Sequence, residues 1–384
     1  MSKNLIKTLV TLLMLIVASY FIYLSSQTTR IDQASDNSNM LNYCDTIEIQ
    51  KNLFLIVGRH LNLEKSEADV ANALIYKKED MLYIIDTGVT LEFRDALLAL
   101  CNSLKPYKQI TLINTHGHAD HIANNIILDK LEGDIKRHYI STHDLNMMKD
   151  NHAFFTHSFE TLSPLTTLYT NASEKAVDLL KLFKPLDFQT SHTKTLEEIP
   201  TLDLNIGNIH WSGWNIDDTL YICRSQGHSA GHVVIYFPEE QHMHLADETT
   251  GYCNLFHDCD NLKSIETQTK TLSMLKNNTI KTLTDGHTFK VHHKYDGISF
   301  LSQLIEAHYI YDNALQEILR GHPNGLKFSE IQEELSKNPT LLKLPKGANP
   351  NPLYTQLMLL SKFRDFGIVP DREDLANALF NFRS

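Results

Sequence analysis

Cysteine is scarce in this chain. Five stand in 384 residues, at Cys44, Cys101, Cys223, Cys253 and Cys259, and none forms a C-x-x-C pair, which excludes a cysteine-built zinc cage. Cys253 and Cys259 are close enough to close a short disulfide loop in an oxidising compartment, and the odd total leaves at least one thiol free. Basic excess is missing too. Lys and Arg number 35 against 46 Asp and Glu, a formal net charge of −11, so no nucleic acid is expected as a partner. No internal repeat is evident. Charge is absent from one long run: Lys3 and Lys7 precede an uncharged stretch from Thr8 to Thr29, almost wholly apolar from Leu9 to Leu24. Residues 1–32 therefore read as a signal peptide or an N-terminal membrane anchor with a short flank. Val17-Ala18-Ser19 offers a cleavage site, but the apolar run continues through Leu24. That favours an uncleaved anchor with the lysines inside and the body exported.

Past this segment the composition is that of an ordinary globular protein, 42% hydrophobic over the full length, and the chain is long enough for one large domain plus an appendage. Residues 33–42, rich in Ser, Asn, Asp and Gln, read as a linker. From 43 to about 297, short apolar runs alternate with helical periodicity, an α/β pattern. Strands are expected over Asn52–Val57, Ala71–Tyr76, Met81–Ile85, Gln109–Asn114, Thr219–Arg224, Val233–Phe237 and Ile280–Leu283. Helices are expected over Leu91–Leu104, Ile122–Leu131 and Leu262–Leu275. Residues 141–204 are more polar and helical and read as an inserted, lid-like region. Residues 298–384 read as wholly helical, over Ile298–Arg320, Ser329–Ser336 and Leu353–Phe366.

The most informative stretch is Thr115-His116-Gly117-His118-Ala119-Asp120-His121, which sets four metal-capable side chains in six positions directly after a strand. Imidazole nitrogens and carboxylate oxygens suit zinc and similar divalent ions. Gly117 and Ala119 carry almost no bulk, so the turn can aim His116 and His118 at one point and Asp120 and His121 at a neighbouring one. One turn can then serve two metals. Three later positions also follow strands: His228 in Gln226-Gly227-His228-Ser229-Ala230-Gly231-His232, Asp247 after Met243-His244-Leu245-Ala246, and His287 in Asp285-Gly286-His287. Ligands at the ends of separate strands make a rigid cup. His232 competes with His228 for the same slot but heads a strand and suits a wall or a supporting role. His242 and His244 share one strand face and are read as non-ligands; His257, beside Asp258, can touch substrate.

In that order and context the chain resembles the metallo-β-lactamase-fold hydrolase superfamily, whose signature is H-x-H-x-D-H followed by a His, a bridging Asp and a final His. The resemblance covers roughly Asp45 to Tyr295. It implies an αββα sandwich with a C-terminal helical, winged-helix-like subdomain that packs over the cup, narrows its mouth or forms a homodimer contact. It implies that His116, His118 and His228 hold one metal, that Asp120, His121 and His287 hold a second, and that Asp247 bridges them. Asp86, ending Leu82-Tyr83-Ile84-Ile85-Asp86-Thr87-Gly88, matches an early Asp of the family that braces the histidine turn. The family's pair of glycines after the histidine motif is replaced by Ala123-Asn124-Asn125.

The cofactors so implied are two divalent ions, Zn2+ first, with Fe or Mn as alternatives. Two dications sharing a water lower its pKa from 15.7 to about 7, supplying hydroxide at neutral pH. Asp120 would orient it and carry a proton to the leaving group, and a Tyr252 hydroxyl would help stabilise the oxyanion. The function implied is a dinuclear hydrolase acting on an ester, lactone or thioester of a small molecule. A mononuclear iron persulfide dioxygenase, a phosphodiesterase or nuclease, and a β-lactamase are the alternatives on the same fold. True β-lactamases generally lack the bridging Asp, and a metal-free scaffold would have lost ligands first.

Overall fold

The computed structural model describes residues 41–62, 64–162, 181–184, 186–187, 191–251, 254, 256–321, 330, 333–334 and 337–338. The chain divides into two units, 1–42 and 43–384, and the two sheets and their helices belong to the second. The expected membrane segment, nearly all of the linker, the helices expected over 353–366 and most of 329–336, Tyr252 and Cys253 lie outside the described residues. Among the described residues no helix is long and apolar enough to cross a membrane.

Two seven-stranded sheets form the body. The first contains β1 (Thr46–Gln50), β2 (Leu53–Ile56), β3 (Ala73–Lys78), β4 (Met81–Ile85), β5 (Gln109–Ile113), β6 (Ile135–Ile140) and β7 (Thr193–Thr195), side by side in sequence order. Its first four strands pair antiparallel, and β4 to β7 run parallel. Parallel neighbours need crossovers. These carry α1 (Leu91–Ser103), the short α2 (Ala119–Ile122) and α3 (Ile127–Lys130), then α4 (Thr142–Lys149) and α5 (Asn151–Leu162). The second sheet holds β8 (Leu202–Ile206), β9 (Ile209–Ile216), β10 (Leu220–Arg224), β11 (Val233–Phe237), β12 (His242–His244), β13 (Thr282–Thr284) and β14 (His292–His293) in reverse spatial order. Only β12 and β13 are parallel there, and α6 (Asn261–Lys276) fills their crossover. The long α7 (Lys294–Gly321) follows β14.

Alternation along each strand builds the layers. Ala73, Ile75, Leu82 and Ile84 point to one side and pack with Phe93, Leu97 and Cys101 of α1. Tyr76 and Tyr83 lie on the other side, where the Tyr76 ring stands 5.3 Å from Phe237 of β11 and its hydroxyl donates to Glu240 at 2.6 Å. The far face of the second sheet, with Trp211, Cys223, Val234 and Met243, packs on Met274 and Leu275 of α6 and Leu301 of α7. Helix, sheet, sheet and helix give the αββα sandwich.

Three local expectations change. The single helix expected over Ile122–Leu131 is two short ones, because Asn124 and Asn125 direct their amides to other segments and so compete with helical backbone bonding. Asn124 donates to the carbonyls of Thr87 and Thr90, and Asn125 exchanges two hydrogen bonds with Asn114. The stretch 141–204 is not merely helical, since β7 joins the first sheet and β8 the second. Finally, α7 starts at Lys294, ahead of the expected Ile298.

Candidate metal centre

The ends of β5, β10, β12 and β13 deliver every side chain of the site. The Thr115–His121 turn leaves β5 and enters α2, with His118 in extended backbone at the helix N-cap. Gly117 is the position that lets this turn press against α4, since a Cβ there would stand 2.7 Å from the Asp144 carbonyl oxygen. His228 lies in the loop after β10, Asp247 in the 3-10 turn Ala246–Thr249 after β12, and His287 just beyond β13. Ala246 (φ 44°), next to Asp247, and Gln226 (φ 58°), two residues before His228, hold left-handed backbone within two of these segments. Such backbone costs about 1–3 kcal/mol in non-glycine residues and concentrates at functional sites.

The seven side chains gather into two groups of four that share Asp247: His116, His118, His228 and Asp247, and Asp120, His121, Asp247 and His287. Within each group one donor atom per residue lies within 4.8 Å of the others. In the first, His118 Nδ1 is 2.9 Å from His116 Nε2 and 3.0 Å from His228 Nε2, and Asp247 Oδ2 is 3.4 Å from His228 Nε2. In the second, His121 Nε2 is 3.1 Å from Asp247 Oδ1, while His287 Nε2 is 3.2 Å from Asp247 Oδ2 and 3.3 Å from Asp120 Oδ2. Tyr252 is outside the described residues.

These donors fit divalent metals. Burial, reinforced by neighbouring imidazoles, holds His116 and His118 well below the usual histidine range, and burial brings His228 down to about 4. The three histidines of the first group are therefore neutral, with ring nitrogens converging and too few protons to bond them all. His121 Nε2 and Asp247 Oδ1 are buried and make no hydrogen bond among the described residues. Burial disfavours charge on His121 and His287, but Asp247, with Asp120 and Asp86 beside His121 and Asp69 beside His287, outweighs it and lifts both well above the usual range. Burial likewise opposes a charged Asp247, yet His287, His121 and His228 hold it well below the usual carboxylate range. The second group thus holds protons that a cation would displace.

Around the donors lies a buried shell that fixes ring orientation. Asp86 Oδ2 meets His121 Nδ1 at 2.8 Å and accepts from the Thr115 hydroxyl, while Asp86 Oδ1 accepts from the Thr115 amide. Thr115 Oγ1 stands 3.1 Å from His116 Nδ1, leaving Nε2 turned inward. His232 is no member of either group. Its Nε2 accepts from the Asp247 amide, and its Nδ1 meets Ser225 Oγ and Glu248. His242 and His244 bond instead to Thr282 and Thr284. His257 Nδ1 is 2.5 Å from Ser158 Oγ.

Three carboxylates escaped the sequence reading, one of them Asp69, 3.4 Å from His287 Nδ1. Glu248 accepts from the amides of Gly227 and His228; burial would raise its pKa, but His232, Ser264 and Ser225 bring it to about 2. Asp144 of α4 accepts from Gly117, Ser229 and Gly231. Adjacency to Asp247 is the only sequence signal for Glu248. Asp144 has none.

The family model described as the metallo-beta-lactamase superfamily matches residues 67–287, more than half of the chain. No curated protein matches. Among solved structures, a double mutant of the sec-alkyl sulfatase PisA1 is similar at a TM-score of 0.55 and 14% identity, over 85% of this chain and 51% of that one. The stereoselective inverting sec-alkylsulfatase from Pseudomonas sp. gives 0.53 and 16% over the same shares. This chain therefore spans about half the length of those sulfatases. A metallo-beta-lactamase family protein from Thermus thermophilus gives 0.52 and 16%, over 83% of this chain and 95% of that one. At these identities the likeness speaks for the fold alone. With the matched family model and a site built on four strand ends, this chain belongs to the metallo-beta-lactamase superfamily.

Proposed function

We propose that this protein is a metal-dependent hydrolase that cleaves a carbonyl-type bond, an ester, lactone or thioester, with two divalent ions of the zinc type. One observation carries the reading: Asp247 completes both groups of four donors. A mononuclear iron oxygenase would use only part of this set, and the filled second group of Asp120, His121 and His287 speaks for the dinuclear form. Bound ions would supply Lewis acidity towards the substrate oxygen and lower the pKa of coordinated water.

The residues supply the rest. His116, His118 and His228 are neutral and offer lone pairs without a proton to lose. Asp120 has the most exposed side chain of the ion-paired donors, at 14% against 6% or less for His116, His121, His228, Asp247 and His287. Its carboxylate, with Oδ2 at 3.3 Å from His287 Nε2, thus stands at the donors yet nearest to solvent, and is placed to receive a proton and deliver it to the leaving group. Charge favours a neutral substrate over a phosphodiester. Asp120 and Asp247 within the second group, with Asp86 against His121 and Asp69 against His287, make four carboxylates, which balance the charge of two dications. Among the described residues no ion pair joins any of the seven donors to Lys or Arg. The uncharged N-terminal run from Thr8 to Thr29 supports export with the segment as anchor.

The test is turnover by the zinc-loaded, full-length protein across lactones, esters, thioesters, β-lactams and phosphodiesters. Cleavage of the carbonyl classes, lost in His116→Ala, supports the proposal. Cleavage of phosphodiesters alone, or of nothing, refutes it.

A further inference from the structure

One side of the site is apolar and the other is acidic, and this asymmetry is built into the chain. Three phenylalanines surround His118: its ring centroid is 4.5 Å from Phe256 and 5.6 Å from both Phe154 and Phe155. The three rings also touch one another, at 5.3 to 6.0 Å between centroids. Phe256 reaches His228 as well, at 6.2 Å. Across the site, His287 is flanked by Asp69 and Asp120.

The wall is held in place from two directions. At the start of α5, the Asn151 amide donates to the carbonyls of Gly117 and Met147, which fixes the helix carrying Phe154 and Phe155 to the turn that carries His116 and His118. One turn beyond Phe155, the buried Ser158 meets His257, the neighbour of Phe256. Phe154 and Phe155 nevertheless stay only half-buried. Aromatic rings fixed against metal-type donors and left partly uncovered are suited to a ligand's apolar group, which they can desolvate without first being ordered.

We propose that Phe154, Phe155 and Phe256 bind the apolar part, aryl or alkyl, of a neutral substrate whose reacting bond lies over the two donor groups. The inference rests on the metal-dependent reading above and adds the substrate's chemistry and its direction: apolar group on the His118 side, the remainder towards Asp120 and His287.

The test measures binding without turnover, so it stays distinct from the hydrolase assay. Zinc-loaded, full-length protein is titrated calorimetrically with 2-mercaptoethanol, butane-1-thiol, 3-phenylpropane-1-thiol and 2-mercaptoethanesulfonate, whose sulfur is the common anchor. Affinity should rise about three- to four-fold per buried methylene. The dissociation constant of 3-phenylpropane-1-thiol should be at least ten-fold below that of 2-mercaptoethanol. That ratio should collapse towards one in Phe154→Ala and Phe155→Ala and be partly kept in Phe155→Leu, which also serves if an alanine variant fails to fold. A ratio near one in the wild type, a ratio unchanged in the variants, or tightest binding of the sulfonate overturns the proposal. So does a wall occupied by a second copy of the chain, seen as a dimer whose affinity for the thiols ignores their tails.

Discussion

The Asp144 carboxylate accepts a 2.7 Å hydrogen bond from Ser229 Oγ, joining α4 to the loop that carries His228. The same carboxylate accepts from the Gly231 amide at 2.9 Å and the Gly117 amide at 3.2 Å, so one buried side chain clamps both halves of the first donor group. Burial pushes it up to about 6, against the pull of the Ser229 hydroxyl. Asp144→Asn keeps the shape but sets an NH2 against backbone N–H or hydroxyl donors. Metal affinity should fall about 10- to 100-fold, the range for a lost supporting partner, and more at the first group than at the second. Competition with a chromophoric chelator measures it. Wild-type affinity in the variant would show that the clamp does not position these ligands.

Gly231 is the clamp's counterpart. A Cβ there would lie 2.6 Å from Asp144 Cγ and 2.9 Å from Ser141 Cβ, and neither atom belongs to a flexible surface chain. Gly231→Ala should therefore destabilise the fold by about 1–3 kcal/mol, the usual cost of overpacking, read from urea midpoints at constant m. A change within experimental error would place the loop elsewhere.

Acid should destabilise the protein through histidines outside the donor set. Burial lowers His138 to about 3, His242 to about 3 and His244 to about 4. Below the ordinary value of 6.5 the unfolded chain takes up protons at these rings and the folded chain does not. Their contribution is thus complete above pH 6.5 and is lost as pH falls towards 3 to 4. Each ring adds a slope of up to about 1.4 kcal/mol per pH unit. Chelator-treated His138→Gln should show a shallower loss than the wild type by up to that amount between pH 6 and 4. Parallel curves would mean that His138 titrates alike folded and unfolded.

The sequence marked the ligands because their spacing is local. His116, His118, Asp120 and His121 sit within one turn, and His228, Asp247 and His287 each follow an apolar run that ends a strand. Asp86 was legible only through the family resemblance, as the Asp that ends the β4 run. What the sequence concealed depends on contacts between distant segments. Asp144 lies 85 residues from Ser229, the Phe154 and Phe155 rings meet Phe256 only through folding, and the break in the Ile122–Leu131 helix comes from Asn125 finding Asn114. Local periodicity is blind to such pairs. β7, Thr193–Thr195, is wholly polar and carries no apolar signal, whereas β8 does alternate Leu202, Leu204 and Ile206 but is only five residues long and ends a stretch whose polar, helical character dominates the reading.

Asp120 tests the proton route. Asp120→Asn preserves an oxygen donor but removes the base at Oδ2, so kcat on any ester that the protein cleaves should fall about 10²- to 10⁴-fold, the range for general acid–base catalysis. The loss should shrink for esters whose leaving group has a low pKa and needs no proton. An equal loss for good and poor leaving groups would remove Asp120 from that step.

The central claim, two cation sites joined by Asp247, is tested most directly by counting metal. Full-length protein equilibrated with zinc and freed of excess should carry two ions per chain by elemental analysis, and His287→Ala, which breaks only the second group, should carry one. A single ion in the wild type, with the same count in His287→Ala, would contradict the account.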